Sequence, residues 1–201
     1  MPDTDKQQRH QSRMARKKAV IDQTIQAADI DRGVLLVLTG NGKGKSSSAF
    51  GMLARALGHG MQAGVAQFIK GNNDTGEEAF FRQQPGVQWH VLGEGFTWET
   101  QNLERDIETA RKGWEVVRGM LQDETLGLVV LDELTYPIKY GWLSLDTVLA
   151  DLVARPRMQH VVITGRAAPE GLCDAADTVS EIRDIKHAFR VGVRAQPGVD
   201  L

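Results

Sequence analysis

The sequence predicts a single α/β domain in which a mostly parallel sheet carries helices on both faces. Short apolar runs alternate with longer amphipathic runs from residue 33 onward, as strands and crossover helices alternate in such sheets. Several of the apolar runs are uninterrupted, which favours strands that are buried on both faces. The 201 residues are enough for one such domain and its core.

Each predicted strand is a short apolar run, and each predicted helix lies between two strands. The strands are predicted at Val34–Thr39, Ala63–Ile69, Val87–Leu92, Leu126–Leu131, His160–Thr164 and Thr178–Ile182. The clearest helix is Gln101–Leu121, where apolar side chains at helical spacing form one stripe. Another helix is expected to begin at Ser144, a residue type that is favoured as an N-cap, and to end before Pro156.

A glycine-rich loop between the first strand and the next helix is typical of phosphate binding. It consists of Gly40, Asn41, Gly42, Lys43, Gly44, Lys45, Ser46 and Ser47. Glycines let backbone N–H groups turn toward an anion, and the helix N-terminus adds a positive dipole. Lys45 would neutralise phosphate charge, and the hydroxyl of Ser46 would be a ligand for Mg²⁺. The loop predicts a phosphate-loop NTPase-like domain of RecA-like type that binds a nucleoside triphosphate.

The loop departs in one place from the usual pattern G-x-x-x-x-G-K-[ST]. That pattern puts its first glycine at the position of Thr39, whereas this sequence has glycine one place later, at Gly40. A glycine-rich turn without a ligand is the alternative interpretation. The order of strand, Gly-Lys-Ser and helix nevertheless favours phosphate binding.

Two carboxylates and one arginine follow other strands of the predicted sheet. Asp132 and Glu133 come at the end of the fourth strand, where an acid of a phosphate-loop protein binds Mg²⁺ directly or through water. Spacing alone does not choose between the two carboxylates. Arg166 follows the fifth strand, where it could reach a phosphate at the same sheet edge. A surface ion pair is the alternative role for this arginine.

Residues 1–32 are predicted to be a basic arm that precedes the domain at residues 33–201. Between residues 6 and 18, six basic residues occur with no acidic residue among them: Lys6, Arg9, Arg13, Arg16, Lys17 and Lys18. One interpretation is a solvated, partly disordered tail. The other is a basic helix that folds over an anionic ligand, in a partner subunit for example.

The composition argues against several classes of protein. Basic and acidic residues number 24 and 26, so the overall charge gives no reason to expect a nucleic-acid partner. No apolar run has the length of a membrane span, and the basic N-terminus has no hydrophobic signal region. Cys173 is the only cysteine, which excludes an internal disulfide. We therefore expect a soluble, cytoplasmic protein without a membrane partner.

A loop after the third strand carries two aromatic residues between glycines and the start of a helix. These residues are Phe96 and Trp98, in the stretch Leu92–Glu99. One interpretation is that both side chains pack beneath the following helix. The other is an aromatic wall for a flat ligand, on the same sheet edge as the phosphate loop.

Taken together, these segments resemble the corrinoid adenosyltransferases of the bacterial cobalamin pathway, in their phosphate-loop form. The resemblance is carried by the phosphate loop at 39–46, the aromatic loop at 93–98, and the stretches 131–136, 163–166, 185–189 and 192–196. It covers nearly the whole chain, including the basic arm, and it includes the shifted glycine of the loop. Ser46 is a departure, because the family often has threonine there, but the hydroxyl is retained.

The resemblance implies an enzyme that transfers the 5′-deoxyadenosyl group of ATP to the cobalt(I) of a corrinoid and releases triphosphate. ATP and the corrinoid would be substrates, with Mg²⁺ as cofactor. Cobalt would be the nucleophile, so no catalytic residue of the protein is expected. Lys43 and Lys45 would stabilise the leaving triphosphate. Phe96 and Trp98 would fill the lower face of the corrin and displace its axial base, which makes cobalt(II) easier to reduce.

The same resemblance implies a homodimer in which the arm of each subunit closes over the active site of the other. A reduced flavoprotein is a candidate electron donor. Two other functions remain open at this point: a phosphate-loop kinase or NTPase with an unidentified acceptor, and a nucleotide-binding or corrinoid-binding regulator without catalysis. The aromatic loop favours the adenosyltransferase, because a kinase has no evident use for it.

Overall fold

The computed structural model describes residues 4–69, 75–93 and 103–199, and the chain divides into two compact units. The first unit, residues 1–32, contains the helix α1 (Thr4–Ala27), whose described side chains are nearly all exposed. The second unit, residues 33–201, contains all the described strands. Phe96 and Trp98 lie outside the described residues, so their predicted role in corrinoid binding stays a prediction.

The second unit alternates strands with helices, as the sequence predicts. Its strands are β1 (Leu35–Thr39), β2 (Gln62–Gln67), β3 (Val87–Val91), β4 (Leu126–Asp132), β5 (His160–Thr164) and β6 (Thr178–Glu181). Its helices are α2 (Lys45–Gly58), α3 (Gly76–Phe81), α4 (Leu103–Gln122), α5 (Thr135–Lys139), α6 (Leu145–Ala154) and α7 (Glu170–Ala175). A short 3₁₀ helix follows at Ala188–Val191.

The six strands form one sheet in the order β3-β2-β4-β5-β1-β6, and every neighbouring pair is parallel. The predicted α/β class is confirmed, and the described sheet is parallel throughout. Because all six strands point the same way, their C-terminal ends meet at one edge, where ligands bind in such sheets. One strand, β5, separates β1, which leads into the glycine-rich loop, from β4, which ends at Asp132.

Helices cover both faces of the sheet, and successive residues of a central strand point into different halves of the core. In β4, Val129 and Leu131 belong to the half that contains α4 and α6, whereas Leu128 and Val130 pack with α2. A strand that is buried on both faces has no position for a polar side chain, which explains the uninterrupted apolar run. The edge strand β6 differs, since all four of its residues are exposed.

The strand bounds differ from the predicted ones by two residues at most. The largest difference is in β2, which ends at Gln67 rather than at Ile69. The strand β4 extends one residue further than predicted, so that Asp132 is its last residue and Glu133 follows it. Asp132 therefore belongs to the strand, whereas Glu133 lies in the turn that follows it. Among the described residues, no helix is long and apolar enough to cross a membrane.

Candidate active site

The glycine-rich loop packs against the end of β6, and this contact explains where its glycines lie. Gly40 has a φ of 99°, and a Cβ there would lie 2.4 Å from the carbonyl oxygen of Ile182. The N–H of Gly42 donates to the same oxygen at 2.7 Å. A Cβ at Gly42 would lie 2.6 Å from the carbonyl oxygen of Arg183. Packing therefore excludes side chains at both positions, and the glycine that the usual pattern puts at Thr39 is needed at Gly40.

Lys45 is the first residue of α2 and is almost wholly buried beneath the loop. Its Nζ donates to the carbonyl oxygen of Gly42 at 2.8 Å, and 6% of the residue is exposed. Burial lowers the pKa of the ammonium group, and the negative charge of Glu133 opposes this shift. A cation that has lost its hydration lies at a helix N-terminus, so this end of the loop favours an anion.

The two carboxylates at the end of β4 have different surroundings. Asp132 is buried, and both of its oxygens accept hydrogen bonds: Oδ1 from the hydroxyl of Thr164 at 2.6 Å and Oδ2 from Nε2 of Gln67 at 3.2 Å. Glu133 instead has a buried Oε2 that accepts no hydrogen bond from any described residue. A buried carboxylate oxygen without a partner is costly, and a cation or its bound water would satisfy it.

Glu133 combines an unusual backbone conformation with a perturbed side chain. Its φ of 60° lies in the left-handed region, which residues with a side chain seldom adopt. Burial raises the pKa of its carboxyl group from 4.5 to about 7. The charge of Asp132 adds to this shift, whereas Lys45 and Arg166 oppose it. Strained backbone and a shifted pKa at one residue are typical of functional sites.

The loop and the carboxylates line one cavity of about 500 Å³. Nine of the residues predicted to bind nucleotide or metal line it: Gly42, Lys43, Gly44, Lys45, Ser46, Ser47, Asp132, Glu133 and Arg166. Asn41 lines a second cavity, of about 420 Å³, which it shares with Arg166. Cationic groups, a hydroxyl and a carboxylate thus surround one space, an arrangement that suits a magnesium-bound polyphosphate.

Six residues that sequence reasoning missed also line this cavity. They are Phe50 of α2, Gln67 of β2, Ile69 just after β2, Thr75 and Glu77 at the start of α3, and Val199 near the C-terminus. Gln67 carries a signal in the sequence, because it is a polar residue at the end of an apolar strand. The other five carry none, since only the fold brings them to the loop.

Comparison with known families assigns both units of the chain. Residues 31–201 match the family described as ATP:corrinoid adenosyltransferase BtuR/CobO/CobP. The chain belongs to this adenosyltransferase family. Residues 1–25 match a second family description, cob(I)alamin adenosyltransferase N terminal, which covers most of α1. The resemblance to corrinoid adenosyltransferases that the sequence suggests is therefore confirmed.

Curated members of the adenosyltransferase family are similar to the chain along nearly their full length. The corrinoid adenosyltransferase of Pseudomonas aeruginosa is 62% identical over 98% of each chain. The corrinoid adenosyltransferase CobA of Salmonella typhimurium is 48% identical, and that of Escherichia coli K12 is 46% identical, each over 96% of this chain and 98% of its own. Among solved structures, the flagellar accessory protein FlaH from Methanocaldococcus jannaschii matches 76% of this chain and 72% of its own at 13% identity, with a TM-score of 0.49.

Proposed function

We propose that the cavity at the phosphate loop is the site where this ATP:corrinoid adenosyltransferase joins its two substrates. Cobalt(I) of the corrinoid donates an electron pair to C5′ of ATP, the C5′–O bond breaks, and triphosphate leaves with the bonding electrons. The product is an adenosylated corrinoid, either adenosylcobalamin or an adenosylated precursor. One observation carries the proposal: in a chain of this family, the cationic loop and the carboxylates of β4 line the same cavity.

The leaving triphosphate explains the concentration of positive charge in this cavity. Lys43, Lys45 and Arg166 line it together with the N-terminus of α2. Negative charge grows on the triphosphate as the C5′–O bond breaks, and donors that are already in place stabilise it without reorganisation. Lys45 suits this role best, since it is held at the base of the loop and has already lost most of its hydration.

The oxygen atoms in the cavity fit Mg²⁺, and we assign its protein ligands to Ser46 and Glu133. Both residues line the cavity, and Oε2 of Glu133 is buried without a hydrogen-bond partner among residues 4–69, 75–93 and 103–199. Asp132 is less suited to the metal, because each of its oxygens already accepts a hydrogen bond. When bound, the metal would neutralise part of the charge of the triphosphate.

We further propose that Phe96 and Trp98 contact the lower face of the corrin. The support is the family assignment and the order of the chain: both residues follow β3, and β3 ends at the same sheet edge as β1 and β4. Aromatic side chains in this position would displace the axial base of cobalt and exclude water from the reduced metal. The double substitution of both residues to alanine is expected to impair turnover from cobalt(II) far more than ATP binding.

The arm is proposed to close the active site of a partner subunit in a homodimer. Its support is the family match of residues 1–25 and the exposure of apolar side chains on α1, where Val20 is 64% and Ile25 65% exposed. Exposed apolar side chains on a basic helix gain stability when a partner surface covers them. Removal of residues 1–32 should convert a dimer to a weaker or monomeric species in sedimentation equilibrium and should lower turnover.

The remaining proposals concern the electron donor and the cellular location of the enzyme. Cobalt(II) must gain one electron before it attacks ATP, and a reduced flavoprotein is the donor that we propose. This reaction and the single cysteine suit a reducing cytoplasm. Titration of cobalt(II) reduction against a purified reduced flavoprotein, with and without ATP, tests the assignment of the donor, and no reduction in either case would refute it.

Product analysis tests the reaction itself. The protein is mixed with ATP, Mg²⁺ and chemically reduced cobalamin without oxygen or light, and the products are separated. Adenosylcobalamin and intact triphosphate are expected in equal amounts. ADP with phosphate or a phosphorylated acceptor would instead establish a phosphate-loop kinase or NTPase, and bound ATP with neither product would establish a regulator.

A further inference from the structure

Four polar side chains from four adjacent strands form one hydrogen-bonded network next to the proposed metal site. They are Trp89 of β3, Gln67 of β2, Asp132 of β4 and Thr164 of β5, and we call them the Asp132 network. All four side chains are buried. Their hydrogen bonds cross the sheet at its C-terminal half, beneath the cavity that Gln67 and Asp132 line.

The chemistry of the side chains fixes the direction of every hydrogen bond in this network. Trp89 has only a donor, so Nε1 donates to Oε1 of Gln67 at 3.2 Å. Nε2 of Gln67 then donates to Oδ2 of Asp132 at 3.2 Å, and the hydroxyl of Thr164 donates to Oδ1 at 2.6 Å. Each donation is directed toward the carboxylate of Asp132, which is the charge that holds the network together.

The network ends on the backbone of Glu133. The N–H of Glu133 donates to the hydroxyl oxygen of Thr164 at 3.0 Å, so this hydroxyl accepts from Glu133 while it donates to Asp132. Thr164 thus fixes the peptide that joins the two carboxylates. Glu133 has a φ of 60°, and a residue with a side chain keeps such a conformation only where its surroundings hold it.

We infer that Thr164, anchored by Asp132, is a positioning residue that holds Glu133 in its left-handed conformation and so directs the Glu133 carboxylate into the cavity. Asp132 then acts through Thr164 rather than on the metal or ATP. This inference rests on the proposed function for the role of Glu133 as a metal ligand. The network assigns separate roles to the two carboxylates: one anchors the peptide and the other binds the cation.

Substitutions at Thr164 test the inference, with amide exchange and Mn²⁺ binding as the measurements. Thr164→Val keeps the shape of the side chain but removes the hydroxyl, and Thr164→Ser retains the hydroxyl. Ile163→Val is the matched control, because it shortens a fully buried neighbour on β5 without touching the network. Thr164→Ala serves as a second variant without a hydroxyl, should Thr164→Val fail to fold.

The first measurement is hydrogen exchange of the Glu133 amide in the protein without ligands. Loss of the hydrogen bond to Thr164 should make this amide exchange roughly tenfold faster in Thr164→Val. Thr164→Ser and Ile163→Val should retain the slow exchange of the native protein. Unchanged exchange in Thr164→Val would overturn the inference.

The second measurement is titration of Mn²⁺, as a stand-in for Mg²⁺, in the presence of ATP by electron paramagnetic resonance. Thr164→Val should bind Mn²⁺ roughly tenfold more weakly, while Thr164→Ser restores the affinity. An equal loss in Ile163→Val would reduce Thr164 to a merely structural role and overturn the inference. Failure of the native protein itself to bind Mn²⁺ with ATP would refute the proposed metal site, and it is distinguishable because the amide exchange needs no metal.

Discussion

The hydroxyl of Thr39 accepts a hydrogen bond from the backbone N–H of Ala168 at 3.1 Å. This contact joins the end of β1 to the segment that follows β5, which carries Arg166 into the cavity. Thr39 occupies the position where the usual phosphate-loop pattern has its first glycine. A glycine there would have no side chain to hold this segment, so the departure from the pattern has a structural reason.

Removal of the Thr39 hydroxyl should weaken ATP binding while the fold persists. Thr39→Val keeps the side-chain shape but leaves the N–H of Ala168 without its acceptor, so the segment that carries Arg166 is released. The loss of one such hydrogen bond corresponds to about 1 kcal/mol, or roughly a fivefold rise in the Kd for ATP. Calorimetric titration measures it, and Thr39→Ser should bind ATP as the native protein does. Equal weakening in both variants would contradict this explanation.

Alanine at two glycines of the same region should change stability in opposite directions. Gly40→Ala puts a Cβ 2.4 Å from the carbonyl oxygen of Ile182 at a φ of 99°, and we expect it to cost about 2 to 4 kcal/mol. Gly51 lies in α2, and a Cβ there meets no atom within 4 Å. Gly51→Ala should therefore stabilise the protein by about 0.5–1 kcal/mol. Urea unfolding measures both changes, and similar values for the two variants would contradict the packing argument.

The stability of the protein without ligands should fall as the pH rises through the pKa of Glu133. Burial raises this pKa to about 7, so between pH 4.5 and 7 the folded state holds a proton that the unfolded state has released. The stability from this group is complete below pH 4.5 and is lost above pH 7, with a magnitude of up to roughly 3 kcal/mol.

Glu133→Gln should remove this pH dependence, because the amide side chain of glutamine does not ionise in this pH range. The variant should melt at a higher temperature than the native protein at pH 8 and at a similar temperature at pH 5, while adenosyl transfer is lost. Thermal unfolding at both pH values measures the difference in melting temperature between the variant and the native protein. A variant that melts below the native protein at pH 8 would refute the assignment of an uncompensated charge to Glu133.

Ser46→Ala should weaken the binding of ATP only when a divalent cation is present. The hydroxyl is proposed as a metal ligand, so its removal should lower metal-dependent affinity by about tenfold or more and leave binding in the presence of a chelator unchanged. Ser46→Thr retains the hydroxyl and should remain active. Ser48→Ala, at an exposed position on the same helix, is the control. A loss of affinity that is the same with and without the cation would exclude the metal-ligand role.

The strands of the sheet could be predicted from the sequence, because burial on both faces requires an uninterrupted run of apolar residues. Leu128 and Val130 must be apolar for one half of the core, and Val129 and Leu131 for the other, so β4 is recognisable without its neighbours. The residues proposed to bind phosphate, such as Lys45, could be predicted for a similar reason, since the requirements of anion binding fall on adjacent positions.

Other parts of the site could not be read from the sequence, because they depend on contacts between distant strands. Thr164 is an ordinary strand residue until β5 is placed beside β4, where its hydroxyl meets Asp132. Spacing could not distinguish Asp132 from Glu133 either, since the difference lies in the hydrogen bonds that each carboxylate receives. Contacts of this kind are set by strand order, which local sequence patterns do not encode.

The close packing of Gly40 and Gly42 on Ile182 and Arg183 also bears on synthesis. The strand β1 pairs only with β5 and β6 in the described sheet, and both of these strands are synthesised after the other four. A growing chain therefore has the loop sequence long before it has the surface that shapes the loop. ATP therefore cannot stabilise the early stages of folding by binding to the native loop. For the same reason, ATP should not stabilise a prematurely terminated chain that lacks residues 178–199.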